Sequence, residues 1–264
     1  MPVSEVNGVQ IGWERLGSGP ALLFCNGSGS TLADAQPMLA QLAGGFDLLA
    51  WDYRGFGTCA AVTGSYTMAD LAADAEGLLR VAGWDHCRVV GVSFGGMVAQ
   101  ELAVTSPALV ERLALACTSS GGAGGSSYPL HELQALPHEE MAAAGLKLAD
   151  SRWDEEWFDS HPVDRVISER VAPKTPADPA QGAAREAQFR ARARHDVWAR
   201  LPLITCPTLV GCGRYDGIAP PENARAIASR VPNAELREYE GGHPYLFQDP
   251  TAAPDLVAFL RDEG

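Results

Sequence analysis

Ser93 lies between Gly91 and Gly95 in the run GVSFGG, directly after the apolar stretch CRVVGV and directly before GGMVAQELAVTSP. An alcohol is a poor nucleophile at neutral pH. It needs a base to take its proton, an acid to orient that base, and donors for the oxyanion that develops. A tight strand-to-helix turn would lift the hydroxyl clear of a sheet, with glycines where a Cβ would collide with backbone. The helix that follows would aim its first N–H groups and its positive dipole end at the same place. The bland reading of Ser93 is a serine in a tight β–α turn.

If Ser93 is a nucleophile, a histidine must reach it, and the chain has six. His86 precedes the serine's own strand, at the opposite end of the sheet. His131, His138, His161 and His195 lie in an irregular stretch that no regular loop fixes. His243, in YEGGHPYLFQDP, follows the last strand-like run and so belongs at the carboxyl edge, with Ser93. For the orienting acid, LVGCGRYDGIAPP puts Asp216 in the loop after the preceding strand. Asp216 and His243 are 27 residues apart, room for one helix and one strand, so their loops can be neighbours. The loop after LALACT reads TSSGGAGG and offers no carboxylate. Asp52, at another strand end in WDYRGFG, reads as structural, tying down its own loop with Arg54.

These residues need a frame. The start reads as a hairpin, VSEV and VQIGWERLG about Asn7-Gly8. After it, strand and helix alternate, and the strands PALLFC, FDLLAW, CRVVGV and LALAC are apolar throughout. That pattern predicts an α/β fold, a mostly parallel central sheet with helices on both faces. The alternation fails between about Ser119 and Leu201 and resumes at CPTLVGCG. Residues 1–120 and 202–264 therefore read as one core domain, and 121–201 as a helical cap inserted over the carboxyl ends of the strands, where open α/β sheets bind ligands. Within the cap, Trp153 and Trp157 are four apart and would share a helix face, as cap core rather than pocket wall. Arg185, Arg190, Arg192 and Arg194 read as a solvated basic helix face, although one turned inward would suit a substrate carboxylate.

The segments GVSFGG, GRYDGIAPP, GGHPYLFQDP, WDYRGFG and PALLFCNGSGS, in the chain order Ser, Asp, His, resemble the α/β-hydrolase fold family. The branch they are similar to holds small capped esterases, lactonases, enol-lactonases among them, and cofactor-free haloperoxidases. The likeness covers the core, not the cap. It implies a catalytic triad of Ser93, Asp216 and His243. It also implies an oxyanion hole formed by the backbone N–H groups of Ser28 and Phe94. Where the family usually carries His-Gly after the third strand, this chain has Asn26-Gly27, as enol-lactonases often do; Asn26 also suits holding the loop by side-chain hydrogen bonds.

The expected function is hydrolysis of a small carboxylic ester or lactone through an acyl-enzyme, without cofactor or metal. The alternatives that keep the triad are perhydrolysis and C–C bond hydrolysis; a weakly catalytic, ligand-binding homologue is the third. A serine at position 93 argues against the dehalogenases and epoxide hydrolases of this fold, which use aspartate there. The 264 residues carry a formal charge of −13, which disfavours nucleic acid and anionic membranes as partners. No run of 18 apolar residues and no signal-peptide pattern appears, so a cytoplasmic location is expected. The six cysteines include no C-x-x-C pair and read as reduced thiols.

Overall fold

Asn7 and Gly8, at φ of 50° and 74°, turn the chain between β1 (Val3–Val6) and β2 (Val9–Gly17). Two left-handed residues are what a two-residue hairpin requires. The computed structural model describes residues 1–62, 64–133, 136–172 and 179–262. Its sheet continues with β3 (Ala21–Cys25), β4 (Asp47–Trp51), β5 (Cys87–Val92), β6 (Val110–Ala116), β7 (Thr208–Gly213) and β8 (Ala234–Tyr239). Among the described residues the spatial order is β1-β2-β4-β3-β5-β6-β7-β8. β2 is antiparallel to both of its neighbours, and every other pairing is parallel.

The order reverses at β3: the chain steps to β4 on one side and returns to β5 on the other. Cys25 of β3 pairs with Gly91 of β5, so the loops leaving these strands diverge from adjacent points. Such a switch point opens a crevice at the carboxyl ends of the strands.

The apolar strands are explained by cover on both faces. On one side Leu23, Val89, Leu113, Leu115 and Val210 pack beneath α2 (Met68–Ala82), α3 (Phe94–Thr105) and α8 (Pro221–Arg230). On the other, Leu22, Val90, Ala114, Ala116 and Leu209 pack against α1 (Leu32–Ala43) and α10 (Ala252–Arg261). Alternate residues of one strand thus feed opposite cores, which is why a period of two is invisible in the sequence. Every residue of α3 from Phe94 to Val104 is buried, so the helix begun by Ser93 is fixed on all sides.

Between β6 and β7 run α4 (His138–Ala149), α5 (Glu155–Ser160), α6 (Pro162–Val171) and α7 (Pro179–Ala193). Ala149, Trp153, Phe158 and Ile167 form a small apolar cluster of their own. A short helix, α9 (Tyr245–Gln248), follows β8. Two expectations need correction. Trp153 precedes α5, whose cap is Asp154, so the two tryptophans do not share a helix face. Arg54 pairs with Asp74, at 2.6 and 2.7 Å, and not with Asp52. Asp52 instead accepts the N–H of Leu32 at 2.7 Å, holding the start of α1. All six cysteines are free thiols. Among the described residues no helix is long and apolar enough to cross a membrane.

Candidate active site

Ser93 joins β5 to α3 with φ 56° and ψ −115°. A non-glycine residue held there stores about 1–3 kcal/mol, tolerated only where the surroundings overdetermine it. The surroundings do. Ser93 N–H donates to Ala116 O at 2.8 Å, and Ser93 O accepts from Gly96 N–H at 2.9 Å and Thr118 Oγ1 at 2.7 Å. A Cβ on Gly95 would stand 2.0 Å from Cys25 O, and one on Gly91 would stand 2.5 Å from Gly95 O. Both positions therefore accept only glycine if the turn is to stay this tight.

The turn aims the hydroxyl at His243. Ser93 Oγ lies 3.0 Å from His243 Nε2, and His243 Nδ1 lies 2.8 Å from Asp216 Oδ2. The other oxygen, Asp216 Oδ1, accepts the N–H groups of Ile218 and Ala219, each at 2.8 Å. Those two amides fix the carboxylate plane and leave Oδ2 for the imidazole. Burial disfavours the His243 imidazolium, but the Asp216 carboxylate, with Cys117 beside it, outweighs burial and holds the pKa well above the ordinary 6.5. Ser93, His243 and Asp216 are thus brought together as the sequence placed them.

The loop after β3 faces this chain of hydrogen bonds. Asn26 Nδ2 donates to Thr31 O at 3.1 Å, and its Oδ1 accepts Gly27 N–H at 2.9 Å. Asn26 therefore braces the loop with its side chain. Tyr53 OH donates to Asn26 O at 3.0 Å from below. Ser28, whose buried Oγ has no hydrogen-bond partner, lines the same cleft as Ser93 and His243. Phe94 is the first residue of α3, so its N–H has no intrahelical partner.

The cleft encloses about 960 Å³. Its walls come from both parts of the chain: Phe24, Met38 and Leu246 on the sheet side, Leu133, Ile167 and Phe189 from the inserted segment. The arginine run divides. Arg190 and Arg194 face solvent, but Arg185 lines the cleft and Arg192 is 8% exposed, its pKa pulled down to about 10 by burial. The expected basic face holds for only half of the run. Ala184, Ala187 and Ala191 mark the inward side of α7, a small-residue stripe that could have shown the phase of the helix.

The histidine loop is held by residues that motif reading missed. His243 N–H donates to Ala149 O at 2.6 Å, and Gly242 N–H donates to Gln248 Oε1 at 2.8 Å. Gln248 Nε2 in turn donates to Asp150 Oδ2 at 2.9 Å and Asp164 Oδ1 at 3.3 Å. Asp164 Oδ2 also accepts both indole N–H groups, from Trp157 at 2.7 Å and Trp153 at 3.2 Å. Asp164→Ala would leave the buried Trp153 N–H unpaired. Such a loss costs about 2–3 kcal/mol, or a Tm fall of about 5–10 °C for a chain of this size, which a thermal melt would measure.

Known proteins share this fold. A family model described as the alpha/beta hydrolase fold matches residues 20–250. A provisionally assigned carbamate hydrolase, RutD, of Variovorax paradoxus is 30% identical over 239 residues, 86% of each chain. 3-Oxoadipate enol-lactonase 2 of Acinetobacter baylyi is 25% identical over 240 residues, 88% of this chain and 85% of the relative. The crystal structure of an enol-lactonase from Burkholderia xenovorans superposes with a TM-score of 0.75 at 23% identity, over 97% of both chains. The chain belongs to the α/β-hydrolase fold family, and it is a hydrolase.

Proposed function

We propose that the protein cleaves a carboxylic ester or lactone through an acyl-Ser93 intermediate, beneath a cap formed by residues 121–201. The observation that carries this reading is the hydrogen-bonded series Ser93–His243–Asp216, at 3.0 and 2.8 Å, opening on an apolar cleft. Ser93 Oγ attacks the carbonyl carbon as His243 Nε2 takes the hydroxyl proton. The N–H groups of Ser28 and Phe94 receive the oxyanion. His243 then returns the proton to the leaving alcohol, and water repeats the sequence to release the acid. Asp216 holds Nδ1–H and stabilises the imidazolium.

The walls favour an apolar acyl or alkyl group, because most of the residues lining the cleft are aliphatic, aromatic or methionine. Each methylene buried there contributes about 0.8 kcal/mol, near fourfold in kcat/KM. A p-nitrophenyl ester series from acetate to hexanoate is expected to climb by about that factor per carbon. Intact-mass analysis after a fluorophosphonate probe should show one adduct, and peptide mapping of the digest should place it on the peptide holding Ser93. No adduct, or a flat ester series alongside turnover of diketones or peroxide, would end the ester reading.

A further inference from the structure

α7 presents Arg185, Gln188, Phe189 and Arg192 to the rest of the molecule, at the spacing of one helix face. Arg185 and Phe189 reach the cleft. Gln188 is different: it is fully buried at 0% exposure, and its Oε1 accepts the N–H of Gly29 at 2.7 Å. Gly29 follows Ser28 directly, and its φ of 68° is one that glycine adopts without strain.

The bonds within the loop are short-range. Asn26 Nδ2 reaches Thr31 O, Asn26 Oδ1 holds Gly27 N–H, and Ser30 N–H points back to Gly27 O at a long 3.5 Å. The bond to Gln188 comes from a residue 159 positions away, on a helix that belongs to the inserted segment. It fixes the peptide plane between Ser28 and Gly29. Without it that plane has a glycine hinge on one side, and Ser28 N–H, on the adjoining Gly27–Ser28 plane across the Ser28 Cα, is left to the short-range bonds of the loop and the Tyr53 hydroxyl on Asn26 O.

We propose that Gln188 is a positioning residue for the oxyanion hole, so that the seating of α7 sets the reactivity at Ser93. The proposal rests on the reading that Ser28 N–H receives the oxyanion. Gln188 touches no reacting atom; it acts through the Gly29 amide. Substrate binding against Phe189, one residue along the same helix, would thereby be felt by the loop that stabilises the transition state.

Two variants remove the bond by different routes. Gln188→Met keeps the volume and loses the acceptor; Gln188→Asn keeps the amide but withdraws it by one methylene. Whichever gives a cooperative melt serves the test. With p-nitrophenyl butyrate, kcat is expected to fall about 10–100-fold while KM stays within twofold, the signature of an interaction used in the transition state alone. A trifluoromethyl ketone, which adds Ser93 Oγ to form a hemiketal oxyanion, should bind more weakly by a matching factor. The corresponding methyl ketone, a ground-state mimic, should bind as before. An unchanged kcat, or a loss confined to KM, overturns the proposal. If instead the wild type binds the two ketones equally, the oxyanion reading itself falls, and the two failures are told apart.

Discussion

Ser93→Ala is expected to lower kcat on p-nitrophenyl esters by about 10⁵-fold with KM little changed, because the nucleophile of a covalent mechanism has no substitute nearby. The fold should survive, since the turn around Ser93 is held by its backbone bonds to Ala116, Gly96 and Thr118 and not by the hydroxyl. Ser93→Gly sharpens the experiment. It is equally inactive, but it relieves the strained φ of 56°. Set against the greater freedom glycine gives the unfolded chain, the net gain over the alanine variant is about 1 kcal/mol, or about 2–4 °C in Tm. Dead and more stable is the expected pair of results. Retained turnover in either variant would remove Ser93 from the chemistry, and equal melting temperatures would remove the strain argument.

The features readable from sequence are those that depend on local pattern and chain order. The elbow at Ser93 is written in six consecutive residues: a side chain at Gly91 would collide with the turn itself, and one at Gly95 with the end of the neighbouring strand β3, which any strand-to-helix turn this tight must pass. Asp216 and His243 follow from topology: in a parallel sheet the loops after successive strands share one edge, so order along the chain becomes proximity in space. What could not be read is pairing across that order. Asp164 joins two tryptophans and Gln248, 84 residues distant, and nothing in its neighbourhood marks it as more than a surface carboxylate on α6. Arg54 chose Asp74 over Asp52 because Asp52 is committed to the backbone of Leu32 and Thr58. Gln188 is hidden for the same reason. An amide among arginines looks solvated until the partner loop, placed by the opposite end of the chain, is known.

Asp216→Asn tests the third member of the site, and two independent effects should appear together. The first is tautomeric. Asp216 Oδ1 is occupied by the Ile218 and Ala219 N–H groups, so in the variant the amide oxygen keeps those bonds and the NH₂ turns toward His243. A donor there meets Nδ1 and forces the proton onto Nε2, the nitrogen that must accept from Ser93. A fall in kcat of about 10⁴-fold is expected. The second is a pH shift. His243 must be neutral to act as base, so activity rises with pH through its pKa. In the wild type that midpoint lies on the alkaline side of 6.5, because the Asp216 charge, with Cys117 beside it, outweighs the opposing effect of burial. Without the carboxylate, burial is left with less opposition and the midpoint moves to lower pH. The residual activity of the variant should therefore persist to more acid conditions than that of the wild type. The stability effect has the matching sign: the pair stabilises the fold below the unfolded value near 6.5, and that contribution is lost as pH rises through the folded pKa. A variant with wild-type kcat, or with an acid limb that does not move, would mean that Asp216 supports its loop and not the imidazole.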